Sequence, residues 1–282
     1  MMWKYPMLAI ALATCAVLIG GPSPAIADNA TAETAPAQIA PAETALQQQA
    51  RTILMGMCDY LASQDKFTMS IHAGYDVVQD SGQKIEFRQI GKASIDRPKQ
   101  MLVSSETSSG LKQRVIIDGS TITVADDGHQ LYSQIAHDGS LDDTIKYFVQ
   151  DLRMRLPLAP IFMQQLPAEM KRRALQIDYV EFDNTLAVPT HHLAVQMAST
   201  DLQIWITEGD KPVPMRVILT YKEEPGAPQF WADFSDWNFA PQYDPATFTF
   251  VPSKDARKIP FVSKVSVANG TGDKAGTEGA VQ

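Results

Sequence analysis

From Phe67 to Val77 apolar and polar side chains alternate: Phe67, Met69, Ile71, Ala73, Tyr75 and Val77 interleave with Thr68, Ser70, His72, Gly74 and Asp76. A period of two puts each set on its own face, so the segment predicts a strand with one dry and one wet side. After Asp80-Ser81-Gly82-Gln83 the alternation resumes through Ile85, Phe87, Gln89, Gly91, Ala93 and Ile95, which makes the pair a hairpin. It recurs over residues 101–106, 112–117, 121–124 and 130–135, with Asp118-Gly119 and Asp127-Gly128 expected to supply the positive φ angles of tight turns. Such a run of antiparallel strands is a meander, and its single dry face needs something to pack against.

Two helical patterns flank the meander. Leu46, Ala50, Ile53, Leu54, Met57, Cys58 and Leu61 recur at the spacing of one helix face. Beyond the strands, Ser140 and Asp143 have the spacing of a capping box, opening a helix that runs to about Arg155 with Ile145, Phe148, Val149 and Leu152 on one side. Residues 156–163 are dense in apolar groups but interrupted by Pro157 and Pro160, so only short turns are expected there. Strands return at 177–182, 192–197, 202–207, 215–221, 230–238 and 248–251. Helices beside a largely antiparallel sheet make an α+β fold.

The two ends of the chain read differently. Lys4 precedes the apolar stretch Met7 to Gly20, and Ala25-Ile26-Ala27 carries the small residues that a signal peptidase cleaves after. Residues 1–27 are therefore expected to be a signal peptide, which sends the protein to the periplasm. Leu12-Ala13-Thr14-Cys15 resembles a lipobox, but Thr14 is large for that place, so lipid anchoring at Cys15 is not expected. Residues 28–45, almost entirely Ala, Thr, Pro and Glu, read as a disordered linker, 46–262 as the folded domain and 263–282 as a disordered tail. The whole chain has a net charge of −8, and removing Lys4 with the leader takes it to −9, which disfavours nucleic acid as a partner. Cys58 is then the one cysteine, so no internal disulfide supports a fold expected to be monomeric.

Candidate chemistry is sparse. The chain has no nucleophile elbow, no CxxC, no HExxH and no phosphate loop, so a non-enzymatic protein without cofactor or metal is expected. Adjacent His191 and His192 would point to opposite faces of a strand and could not share a metal. His129 and His137 are expected in solvent, Asp142 and Asp143 to serve the helix dipole, and Lys171-Arg172-Arg173 to be either a solvated corner or a contact for an acidic partner or lipid headgroup.

Trp205-Ile206-Thr207-Glu208, then Pro212, Pro214 and Arg216, then Phe234-Ser235-Asp236-Trp237, and finally Asp244-Pro245, Phe248, Phe250 and Pro252 occur in an order that resembles a known periplasmic family. That family is the domain of unknown function numbered 2092, within the superfamily of LolA and LolB lipoprotein carriers; Arg114 and Asp118-Gly119 fit it as well. The resemblance implies a strongly curved antiparallel sheet, a half-open barrel, whose concave face is covered by the N-terminal helix and the central helical insert. It further implies a cavity for an acyl chain, a lipid or a lipidated peptide. The expected lining and cover are Met69, Ile71, Tyr75, Phe87, Val115, Ile117, Leu158, Ile161, Phe162, Met163, Ile204, Leu219 and Phe234. The basic residue that locks the lid of the carriers aligns with no position here. Burying an acyl chain yields about 0.8 kcal/mol per methylene, enough to hold cargo without any charge. The other reading of the same architecture is a periplasmic sensor or docking module that recognises an envelope protein and carries no lipid.

Overall fold

Thr44 and Gln47 bond each other's backbone N–H groups in a capping box and so start α1 (Ala45–Ala62). The computed structural model describes residues 43–152 and 155–261, so the predicted leader, Cys15, most of the linker and the tail lie outside the described residues. Ala50, Leu54, Met57, Cys58 and Leu61 of α1 are buried, whereas Leu46, the first position of the expected apolar face, is exposed. Burial pushes the Cys58 thiol up to about 12. A thiol reagent should therefore leave Cys58 unlabelled in the folded protein and label it only as the chain unfolds. Labelling of the native state at the rate of a free peptide thiol would show that this helix face is not packed.

Six strands follow: β1 (Lys66–Val78), β2 (Lys84–Asp96), β3 (Gln100–Thr107), β4 (Lys112–Ile117), β5 (Thr121–Asp126) and β6 (Leu131–Ala136). They pair in sequence order as the predicted meander. Gly82 (φ 81°), Gly110 (φ 83°) and Gly119 (φ 98°) make three of its turns in the left-handed region. The expectation for Asp127-Gly128 is corrected: in the β5–β6 turn the left-handed residue is Gln130 (φ 53°).

The central insert is α2 (Leu141–Lys146), a π-helical turn (Tyr147–Asp151), α3 (Ala159–Phe162) and α4 (Leu166–Arg173). Ser140 and Asp143 do form the capping box, but regular α-helix ends at Lys146, not near Arg155. α4 has no counterpart among the helices that the sequence pattern predicts; Pro167 lies in its first turn, where a missing N–H costs nothing, and its basic run closes its last turn.

The remaining strands are β7 (Gln176–Asp183), β8 (Thr190–Gln196), β9 (Thr200–Thr207), β10 (Pro214–Tyr221), β11 (Gln229–Asn238) and the two-residue β12 (Arg257–Lys258). All twelve lie in one open, curved sheet of order β12-β6-β5-β4-β3-β2-β1-β11-β10-β9-β8-β7. Every pairing is antiparallel except β12 with β6. The two meanders therefore meet at one junction, where Ile71 faces Phe234 and Tyr75 faces Phe230.

The predicted strand at 248–251 is a correction. That stretch has no ladder; Asp244 and Ala246 carbonyls accept from Thr247 and Thr249 in tight turns, and its aromatic residues act as pegs. Phe248 meets Tyr243 edge-on at 5.0 Å, while Phe250 packs 5.0 Å from Tyr132 and under the Arg114 guanidinium at 5.7 Å. Arg114 and Tyr132 have the opposite parity to the helix-facing Val115 and Ser133, so this C-terminal arm crosses the outer face of the sheet. It explains why Ile116, Thr123 and Ala125 are buried although they face away from the helices.

Candidate functional site

The inner face is apolar because each strand turns the same parity toward the helices: Ile71 and Ala73, Met101 and Val103, Val115 and Ile117, Ile204, Val217 and Phe234. α1 lies against β7, β8 and β9, and α4 lies against α1. The connection at 156–159 crosses the concavity between two hollows, both of which it helps to line.

The larger hollow has a volume of about 400 Å³, inside the range of small-molecule sites. Its floor is Leu202 and Ile204 of β9 with Val217 and Leu219 of β10, and its walls are Met57 of α1, Leu166 and Met170 of α4, and Leu158, Ile161 and Met163. The smaller, about 100 Å³, lies over the first meander between Ile71, Val103, Val115, Phe148, Leu158 and Phe162. Of the residues expected at the cavity, Ile71, Val115, Leu158, Ile161, Phe162, Met163, Ile204 and Leu219 line one hollow or the other. Met69, Ile117 and Phe234 are enclosed in the core instead, and Tyr75 and Phe87 stack on each other at 5.9 Å without reaching either hollow.

Two buried polar residues, Arg97 and Asp142, hold the cover. Arg97 follows β2 and is only 6% exposed. Its Nη1 donates to the carbonyls of Leu61 (2.6 Å), Ala62 (3.3 Å) and Gln64 (2.7 Å) at the end of α1. Its Nη2 donates to those of Ile161 (3.5 Å), Phe162 (3.0 Å) and Met163 (3.3 Å) at the end of α3, and the group stacks 5.3 Å over Phe67. Most of those carbonyls are acceptors that a helix end leaves without an intrahelical partner, those of Leu61 and Met163 also accepting from the N–H groups of Gln64 and Leu166, and a guanidinium has donors enough to serve two ends at once. Burial lowers the Arg97 pKa to about 10, opposed by Asp142 and Asp65. Asp142 is buried too, accepting from the N–H groups of Gln164 and Gln165, both at 2.9 Å, at the start of α4. Both acids lie in the first turn of α2 as expected, where Asp143 completes the cap, and Asp142 in addition anchors α4.

The rim of the larger hollow carries Lys146, Arg155, Arg172 and Arg173 against one acid, Glu169. Arg155 pairs with Glu224 and lies 4.3 Å over the Tyr221 ring. The Tyr221 hydroxyl is buried with no hydrogen-bond partner among the described residues, and burial pushes its pKa up to about 12.

The histidines do other work. His192 stacks on Trp205 at 3.9 Å, and Arg216 lies between Trp205 (5.8 Å) and Trp231 (5.4 Å), which meets His72 edge-on at 5.0 Å. This ladder crosses the outer face, and its members find acids nearby: Trp205 donates to Asp183, Trp231 to Glu86 and Arg216 to Asp233. Gly74 completes it, since any Cβ there would lie 2.6 Å from the Trp231 ring. His129 is exposed as expected and pairs with Asp126 at 2.8 Å, whereas His137 is half-buried and stacks on Tyr147 at 4.7 Å. Among the described residues no cluster of His, Cys, Asp or Glu could hold a metal, and no helix is long and apolar enough to cross a membrane.

The profile of a family described as "Predicted periplasmic protein (DUF2092)" matches residues 50–262. The chain belongs to the DUF2092 family. No curated protein sequence matches it. Among solved structures, LprF from Mycobacterium bovis is similar over 71% of this DUF2092 chain and 98% of its own, at 10% identity and a TM-score of 0.43. MucB is similar over 72% and 63% of the respective chains, at 14% identity and a TM-score of 0.39. The LolA superfamily protein NE2245 from Nitrosomonas europaea is similar over 71% and 97%, at 12% identity and a TM-score of 0.34. In this DUF2092 protein the residues that carried the resemblance fasten the sheet. Trp205 and Arg216 belong to the outer ladder, Trp237 donates to the Pro214 carbonyl at 3.2 Å, and Arg114 seats Phe250.

Proposed function

We propose that this protein is a non-catalytic, periplasmic binding protein that holds an acyl chain, lipid or lipidated peptide beneath its helical cover. One observation carries the reading: an apolar hollow of about 400 Å³ lies between the sheet and a cover that is pinned at a few polar points. A filled core would give no such space, because protein interiors pack as densely as organic crystals. The cover is the part that moves. The π-helical turn and the proline-broken strap have few internal hydrogen bonds to lose, while Arg97 and Asp142 set the closed position.

A docking role without cargo finds less support. On the outer face the aromatic ladder is paired with its own acids, and the C-terminal arm covers β4 and β5, leaving scattered exposed groups such as Ile90. Single exposed apolar residues are ordinary on any surface.

Native mass spectrometry of the protein purified from its own cell envelope, together with uptake of a fluorescent fatty acid, tests the proposal. The expected result is a bound species of lipid mass and saturable uptake. A protein that is always empty and takes up no probe would refute lipid binding and return the docking reading to first place.

A further inference from the structure

We infer that the cargo of the larger hollow is an anionic amphiphile, its negative head seated between Arg173, Arg155 and the Tyr221 hydroxyl. This rests on the proposed acyl-binding role and adds the chemistry of the head group. Four of the five charged side chains that line the hollow are cationic, on a chain whose net charge is −8. The local field is thus opposite in sign to that of the molecule as a whole.

The cations are not equally committed. Arg172 is paired with Glu169 and Arg155 with Glu224, while Lys146 donates to the neutral amide oxygen of Gln165 at 2.9 Å. Arg173 has no carboxylate within ion-pair distance among the described residues. It is exposed at the end of α4, near enough to Tyr221 to act with Arg155 against the upward pull of burial on that hydroxyl.

Tyr221 is the second, independent observation. A hydroxyl hidden from water without a partner is costly, and natural structures retain such groups where something else satisfies them. Tyr221 stays protonated at neutral pH, so it offers a donor, and its ring lies under a guanidinium. A donor flanked by two guanidinium groups favours a carboxylate or phosphate oxygen over an alcohol, which accepts only a weaker bond, and repels an ammonium. The floor of Leu202, Val217 and Leu219 leads away from this corner and would take the chain.

Displacement of a bound fluorescent acyl probe by hexadecanoate, hexadecyl phosphate, hexadecanol and hexadecyltrimethylammonium reads the head group directly. Both anions should displace the probe at about tenfold lower concentration than the alcohol, and the cation should be weakest. A phosphate advantage over the carboxylate would point to a lipid headgroup as the natural source, and equality to a free fatty acid; either result supports the inference. R173E, a change on an exposed position, should bring the ratio of anion to alcohol affinity to about one, and Y221F should lower the same ratio. If alcohol and anions displace equally in the unaltered protein, the head-group inference fails and acyl binding stands. If the acyl probe itself does not bind, both fail.

Discussion

Replacing Arg97 by Ala should destabilise the protein by about 3 to 4 kcal/mol, because a buried guanidinium bonded to carbonyls at two helix ends leaves most of those acceptors unpaired when it goes. At about 2 to 4 °C per kcal/mol in a domain of this size, the thermal midpoint should fall by about 10 °C. Hydrogen exchange should localise the effect: residues 159–173 open more often, while β2 to β5 stay protected. Arg97→Lys keeps the charge but lacks the planar fork, so it should recover less than half of the loss. Asp142→Ala should destabilise less, and the double variant should cost less than the two single losses added, since both groups pin the same cover. An Arg97→Ala protein with an unchanged midpoint and unchanged exchange over 159–173 would show that the cover is held by packing alone.

The second large effect concerns binding. Val217 is buried on the floor of the larger hollow, and Val217→Trp would put an indole where about three chain methylenes lie. At about 0.8 kcal/mol each, the lost burial is about 2.4 kcal/mol, which weakens acyl-probe affinity by about sixtyfold. Stability should hold or rise, because the ring fills space that is otherwise empty. An equivalent change on the outer side of the same strand, Ile218→Trp, is the control and should leave affinity alone. Equal affinity in Val217→Trp and the unaltered protein would move the acyl site elsewhere, with the smaller hollow under Phe162 next to be tested.

Much of the sheet was legible because its signals are local. The alternation in β1 and β2 and the Gly82 and Gly119 turns each depend on a few neighbouring residues, and the observed strands follow them closely. The β1–β11 junction was not legible, since residues far apart in sequence carry no mark that they pair. α4 was not legible because the run Lys171-Arg172-Arg173 reads as a solvated corner or a contact, while a helix favours such a run at its end and tolerates Pro167 at its start. Residues 248–251 misled in the other direction: Phe248 and Phe250 alternate like a strand, yet two anchoring rings on an extended arm produce the same spacing.

The candidate site was legible only in outline. Positions such as Ile204 and Leu219 follow from strand parity once a curved sheet is assumed. Arg97 had no signal, because its partners are main-chain carbonyls, which every residue possesses. The residues that reveal the family are also poor guides to cargo: Trp205, Arg216 and Trp237 brace the scaffold, while the rim is set by Arg155, Arg173 and Tyr221, which no motif includes.

The single seam between the two meanders has a consequence for how the chain is made. β1 ends at Val78 and β11 begins at Gln229, so a growing polypeptide must wait for about 150 further residues before β1 receives its second neighbour. Throughout that wait the nascent ribbon presents a raw row of amides and carbonyls that another copy could capture. Chains cut short before Gln229 should therefore clump, and a holdase that shields this border would be of most use late in synthesis.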